Sequence, residues 1–185
     1  MNDLERIYID TNVLIYWLFP SHPATAQPSA AFMQDVELSG KYYGIISDFT
    51  LNEMIKVIRN VPVAENKISV TSWKYEISFA LKKIYALKNN NFTVITGSED
   101  EVNFENNMNF GEISIEATQL MIDNPGTTKI NAKGVAIHDG LHAADSLHAV
   151  LAKRMDCSRI ATFDNDFDEI SYYIPRMNVK EMYSI

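Results

Sequence analysis

The chain has a single cysteine, Cys157, so it can close no intramolecular disulfide and build no Cys-rich zinc knuckle. That fits a reducing compartment and makes Cys157 an inert filler. Long hydrophobic runs are missing as well. The longest, Val13 to Phe19, is far shorter than the stretch of about 18 residues that spans a bilayer, and no charged-then-apolar leader precedes it. The expectation is a cytoplasmic protein without membrane association. Positive charge is also scarce, since 16 basic residues against 24 acidic ones leave a formal net charge of −8. This argues against a protein that coats nucleic acid through a broad basic surface. It leaves room for a site that gathers carboxylates around a divalent cation, because such a site is itself locally acidic.

What is present suits one ordinary globular domain. With 185 residues, 46% of them hydrophobic and 22% charged, the chain can bury a real core and is neither a disordered tail nor a fibre. Arg6 to Asp10 reads as a short buried strand, and Thr11 or Asn12 can cap a helix over Val13 to Phe19. After a Pro-rich loop from Pro20 to Pro28 come a helix near Ser29 to Leu38, a strand over Tyr42 to Ser47 and a helix near Phe49 to Arg59. Trp73, Ile77, Leu81 and Ile84 give Thr71 to Lys88 a helical spacing, and Phe92 to Ile95 reads as a third strand. Between Gly97 and Lys133 polar residues dominate, which predicts loops or an insertion around a helical stretch at Ile113 to Ile122. Ala136 to Met155 reads as one buried helix, and Arg159 to Phe163 as a fourth strand. A short turn or helix over Asn165 to Ile170 and a strand around Val179 complete a single α/β domain, residues 1–185, with a parallel-rich sheet.

Two of these strands lead into an aspartate, Asp10 and Asp164, and in open parallel sheets the functional crevice lies outside the carboxyl ends of the strands. Asp145 falls in the middle of the apolar helix, where an ionised carboxylate without a partner is costly. Glu53 lies early in the helix after the second strand, on the same side of the sheet if the connections are right-handed. Four converging carboxylates repel one another and stay ionised only beside a cation; hard oxygen donors at an open site suit Mg²⁺ or Mn²⁺. One or two such ions are the apparatus of phosphodiester hydrolysis, and Asn12 and Thr162 could hold the carboxylates and a water in place.

Four segments, Tyr8-Ile-Asp10-Thr-Asn-Val-Leu-Ile15, Thr50-Leu-Asn-Glu53, His142-Ala-Ala-Asp145-Ser-Leu-His-Ala149 and Thr162-Phe-Asp164-Asn-Asp-Phe167, together resemble the PIN domain in order and spacing. The look is closest to the toxin ribonucleases of toxin–antitoxin pairs. The resemblance implies a three-layer α/β/α fold with a central, mainly parallel sheet. It also implies metal-binding acids at Asp10, Glu53, Asp145 and Asp164, with Asp166 matching an additional acid of some members. By the same resemblance the substrate is RNA cut by metal-activated water, the partner is a second copy of the chain, and an antitoxin is a further partner. The chain departs from the pattern by extra length within Gly97 to Lys133 and near Pro20 to Pro28.

Plainer readings compete at several positions. Thr50-Leu-Asn-Glu53 is also a capping box, with Phe49 and Met54 as its hydrophobic staple. Asp10 can serve as a helix cap, and Asp164 and Asp166 as a solvated turn. His138 and His142 have zinc-protease spacing, but Asp139 replaces the glutamate base and no third ligand is evident. Asp164 to Asp168 starts like a calcium loop, yet Glu169 stands where glycine is required. His148, one turn from Asp145, reads as a core histidine outside the site. The lysines of the Trp73 to Lys88 helix can touch RNA or form a solvated face. As whole functions, a catalytically silent PIN-like binding module is the alternative from another class. A phosphatase of the haloacid dehalogenase type needs a second aspartate where Asn12 stands.

Overall fold

The computed structural model describes residues 4–20, 22–64, 73–87, 91–95, 110–130, 134 and 136–183. Its main sheet contains β1 (Glu5–Ile9), β2 (Tyr42–Ser47), β3 (Phe92–Ile95), β6 (Arg159–Thr162) and β7 (Arg176–Asn178) in the order β3-β2-β1-β6-β7, all parallel. Central β1 is apolar on both faces because both are covered. Ile7 and Ile9 point to one layer and Tyr8 to the other.

The first layer contains α1 (Thr11–Leu18), α2 (Pro23–Glu37), α3 (Asp48–Ala64), α4 (Trp73–Leu87) and α7 (Val179–Tyr183). Phe32 and Met33 of α2 are fully buried here, each contributing roughly 1.5–3 kcal/mol. The second layer holds α5 (Phe110–Asp123) and α6 (Ala143–Arg154), packed on each other and on Tyr8, Ile45 and Ile160. The architecture is thus three-layered α/β/α with a parallel central sheet. A separate antiparallel hairpin, β4 (Thr127–Ile130) with β5 (Ala136–Asp139), precedes α6. Among the described residues no helix is long and apolar enough to cross a membrane.

Several elements differ from the reading of the sequence. The expected loop from Pro20 to Pro28 is largely helix, since α2 begins at Pro23, where a first-turn proline needs no N–H, and runs through Pro28. Pro28 removes one helical hydrogen bond, but Ala26, Pro28, Ser29, Phe32, Met33 and Val36 form a buried stripe whose packing outweighs that loss. The expected single helix from Ala136 to Met155 is a strand, a turn and a shorter helix. Gly140 is the break, and a Cβ there would lie 2.7 Å from the Gly126 Cα, so the hairpin requires glycine at that point. Asp145 is consequently in the first turn of α6, not mid-helix. The last strand ends at Asn178, and Val179 already begins α7. Of the segment from Gly97 to Lys133 expected to be loops or an insertion, residues 110–130 are described and contain α5 and β4; 97–109 and 131–133 lie outside the described residues.

Candidate active site

β1 and β6 are paired neighbours, so their carboxyl ends bring Asp10 and the Thr162–Asp164 segment together. Asp10 is the N-cap of α1 and is almost wholly buried. Its Oδ1 accepts from the Thr11 backbone N–H at 2.6 Å. Its Oδ2 accepts from Asn12 Nδ2 and from Thr162 Oγ1, both at 2.6 Å. Thr162 Oγ1 in turn accepts from Asn12 Nδ2 at 2.9 Å and from the Asp164 N–H at 3.0 Å. One hydroxyl therefore links Asp10 to the backbone of Asp164, with all of its hydrogen-bonding capacity used.

Glu53 arrives on α3, and the geometry there corrects the capping-box reading of Thr50 and Glu53. The helix starts at Asp48, and its reciprocal cap is one turn earlier: Ser47 Oγ accepts from the Thr50 N–H at 3.2 Å, and Thr50 Oγ1 accepts from the Ser47 N–H at 3.4 Å. That leaves the Glu53 carboxylate free to face α1 and α6. Its Oε2 accepts from Thr11 Oγ1 at 2.6 Å and pairs with His148 Nε2 at 2.8 Å.

His148, excluded from the site on sequence grounds, is fully buried inside it. Its Nε2 also lies 3.5 Å from Asp10 Oδ1, and its Nδ1 meets the Tyr8 hydroxyl at 2.9 Å. Its position three residues after Asp145 was the available signal, because i and i+3 share a helix face. Thr11, Tyr8, Ser47 and Thr50 were likewise not read as parts of the site. Their contribution depends on contacts between elements far apart in sequence.

The remaining acids form a second group. Asp145, Asp164 and Asp166 each offer an oxygen within 4.8 Å of the others, as do donor atoms of Asp10, Glu53 and His148. Asp145 Oδ2 accepts from the His142 N–H at 3.3 Å, and Asp164 Oδ1 from the Asp166 N–H at 2.9 Å. The two groups sense each other. Burial first, then the charges of Asp164 and Asp10, push Asp145 up to about 6. Burial also raises Asp10, whereas the His148 hydrogen bond lowers Glu53. Burial disfavours a charged His148, but the Glu53 hydrogen bond and the charges of Asp10 and Glu53 together outweigh it and raise its pKa. Burial pushes the Cys157 thiol up to about 12, away from reactive thiolate.

Chemically, this is a part-exposed cluster rich in carboxylate oxygens with one imidazole, and its local charge repulsion would be relieved by a cation. Such donors fit Mg²⁺ or Mn²⁺. Four acid-bearing segments converge there: the end of β1, the second turn of α3, the first turn of α6 and the loop after β6.

A PIN-domain model matches residues 7–171, and the chain belongs to the PIN-domain family, whose members are generally nucleases. No curated protein matches its sequence. Among solved structures, the chain is similar to one in the crystal structure of VapBC2 from Rickettsia felis bound to a DNA fragment from their promoter. That match has 14% identity and a TM-score of 0.47, and covers 93% of this chain and 97% of the other.

Proposed function

We propose that this chain, acting as one domain, is an endoribonuclease that hydrolyses RNA phosphodiester bonds with Mg²⁺ or Mn²⁺ held by Asp10, Glu53, Asp145 and Asp164, with Asp166 assisting. The observation that carries this reading is the convergence of five carboxylates, Asp10 beside Glu53 and Asp145 beside Asp164 and Asp166, near the carboxyl ends of β1 and β6. A divalent ion held there by these acids would supply positive charge to the scissile phosphate and the leaving oxygen, and would lower the pKa of the attacking water.

The chain's own residues provide the positioning. Thr11, Asn12 and Thr162 fix both oxygens of Asp10, and Thr162 ties the same carboxylate to the loop that carries Asp164. A site so tightly hydrogen-bonded reorganises little when a phosphate arrives. Glu53, Asp145, Asp164 and Asp166 are all part-exposed, so substrate can approach them, whereas Asp10 is buried beneath.

Resemblance of the four motifs to toxin ribonucleases supports a role in a toxin–antitoxin pair, with an antitoxin protein and a second copy of the chain as partners in the cytoplasm. Growth arrest on expression, relieved by a neighbouring gene, tests the pairing; light scattering tests the dimer.

The function itself is tested by incubating labelled RNA with Mg²⁺ or Mn²⁺, with and without EDTA, beside Asp10→Asn. Cleavage requires metal and falls at least about 10³-fold in the folded variant. No cleavage across varied RNAs, together with no metal binding by calorimetry, would give the lead to a silent binding module.

A further inference from the structure

Beside the acids runs a chain of buried and part-buried polar groups with His148 at its centre. An ionised carboxylate can only accept, so His148 Nε2 carries a hydrogen and donates it to Glu53 Oε2 at 2.8 Å. The same oxygen accepts from Thr11 Oγ1 at 2.6 Å. Among the described residues no donor reaches Oε1, so the hydrogen bonds leave Glu53 with one oxygen held and one free.

The imidazole is itself immobilised. Its Nδ1 is 2.9 Å from the Tyr8 hydroxyl, which also meets Ser47 Oγ at 2.8 Å and Thr50 Oγ1 at 2.9 Å. Phe49 packs edge-on against the ring, with centroids 4.9 Å apart. Tyr8, Ser47, Thr50 and His148 come from β1, β2, α3 and α6, the first, third and fourth of which also carry Asp10, Glu53 and Asp145 into the site.

We propose that His148 is a positioning residue: locked by Tyr8, it holds Glu53 Oε2 through its Nε2–H and so presents Oε1 to the cation. This inference rests on the metal-dependent reading above. A glutamate has three freely rotating side-chain bonds, and restricting them before the metal binds removes an entropic cost from binding. The rigid ring suits this task better than a lysine, whose flexible stem would not fix the carboxylate.

The test is Mn²⁺ binding by calorimetry to the wild type, His148→Ala, His148→Gln and Tyr8→Phe, with electron paramagnetic resonance of the bound ion. His148→Ala is expected to bind about 10–100-fold more weakly, and Tyr8→Phe several-fold more weakly. His148→Gln, whose amide can still donate to Glu53, recovers most of the affinity, which a merely structural role would not predict. Circular dichroism checks folding; if His148→Ala fails to fold, Tyr8→Phe, which removes one hydroxyl, carries the comparison. Wild-type affinity in both His148→Ala and Tyr8→Phe overturns the positioning role while leaving the metal site intact. Nitrogen coupling to Mn²⁺ that disappears in His148→Ala also overturns it, because His148 would then be a direct ligand. A wild type that binds no Mn²⁺ overturns the metal reading and this inference together.

Discussion

Asp145 and Asp164 bring carboxylate oxygens within 4.8 Å of each other, although one lies in the first turn of α6 and the other follows β6. The nearby imidazole of His148 is already bonded to Glu53 and relieves this repulsion only in part. The burial of Asp145 and this proximity together therefore cost the metal-free protein stability, and that cost is measurable.

Replacing Asp145 with Asn should stabilise the metal-free chain at pH 7. Its folded pKa of about 6 lies above the ordinary 3.8, so between these values the folded state holds a proton that the unfolded state has released. Stability therefore falls as pH rises through that window and levels off above about 6. The full shift corresponds to about 3 kcal/mol, and solvent screening reduces the expected gain in Asp145→Asn to roughly 1–2 kcal/mol. Urea unfolding at pH 5 and pH 7, with EDTA throughout, checks this: the variant's advantage shrinks at pH 5. An equal advantage at both values would mean that the shift is not the cause.

The same proton competes with metal. Mn²⁺ should bind the wild type progressively more weakly as pH falls below about 6, and at pH 7 a concentration 100 times its dissociation constant should add roughly 2.7 kcal/mol of stability. Asp145→Asn should lose most of that increment. Thermal melts with and without Mn²⁺ across pH 5 to 8 measure both effects.

Substrate affinity should depend on α3 beyond Glu53. Lys56 and Arg59 are exposed, one and two turns further along the helix, and the Lys56 charge acts on the Glu53 carboxylate. The double change Lys56→Ala/Arg59→Ala should raise KM for long RNA about 10-fold and flatten its salt dependence. An unchanged salt slope would place the RNA elsewhere.

Gly44 is expected to tolerate no side chain. A Cβ there would lie 2.8 Å from Val36 Cγ1, 2.9 Å from Phe92 Cδ2 and 3.0 Å from Ile9 Cδ1, in the main core between α2 and the sheet. Gly44→Ala should therefore cost about 1–3 kcal/mol by overpacking. Chemical denaturation gives the value, and a cost near zero would show that the core yields at this point.

Local pattern made much of the fold readable. β1, β2, β3 and β6 are short apolar runs bounded by polar residues, and the alternation of strands and helices carries the parallel architecture. Pro28 misled because proline marks loops by local rule, whereas the stripe from Ala26 to Val36 recovers the loss through packing. Gly140 was visible as a helix weakener, but its close approach to Gly126 depends on a hairpin whose register no local window contains. The acids were legible because a carboxylate near a strand end or in an apolar segment demands an explanation. His148 was not, because a buried histidine suits a core equally well until its partners, Tyr8 and Glu53, are brought to it by other strands and helices.

The sheet order also sets when the acid cluster can exist during synthesis. Asp10 is made almost at once, yet its Oδ2 is held by Thr162, 152 residues later, and β1 completes its pairing only when β6 joins it. Nascent chains that lack β6 have the first carboxylate but no closed site around it. A ribosome making this protein therefore carries a partial chain without the complete cluster of acids for most of the time that it takes to translate the message.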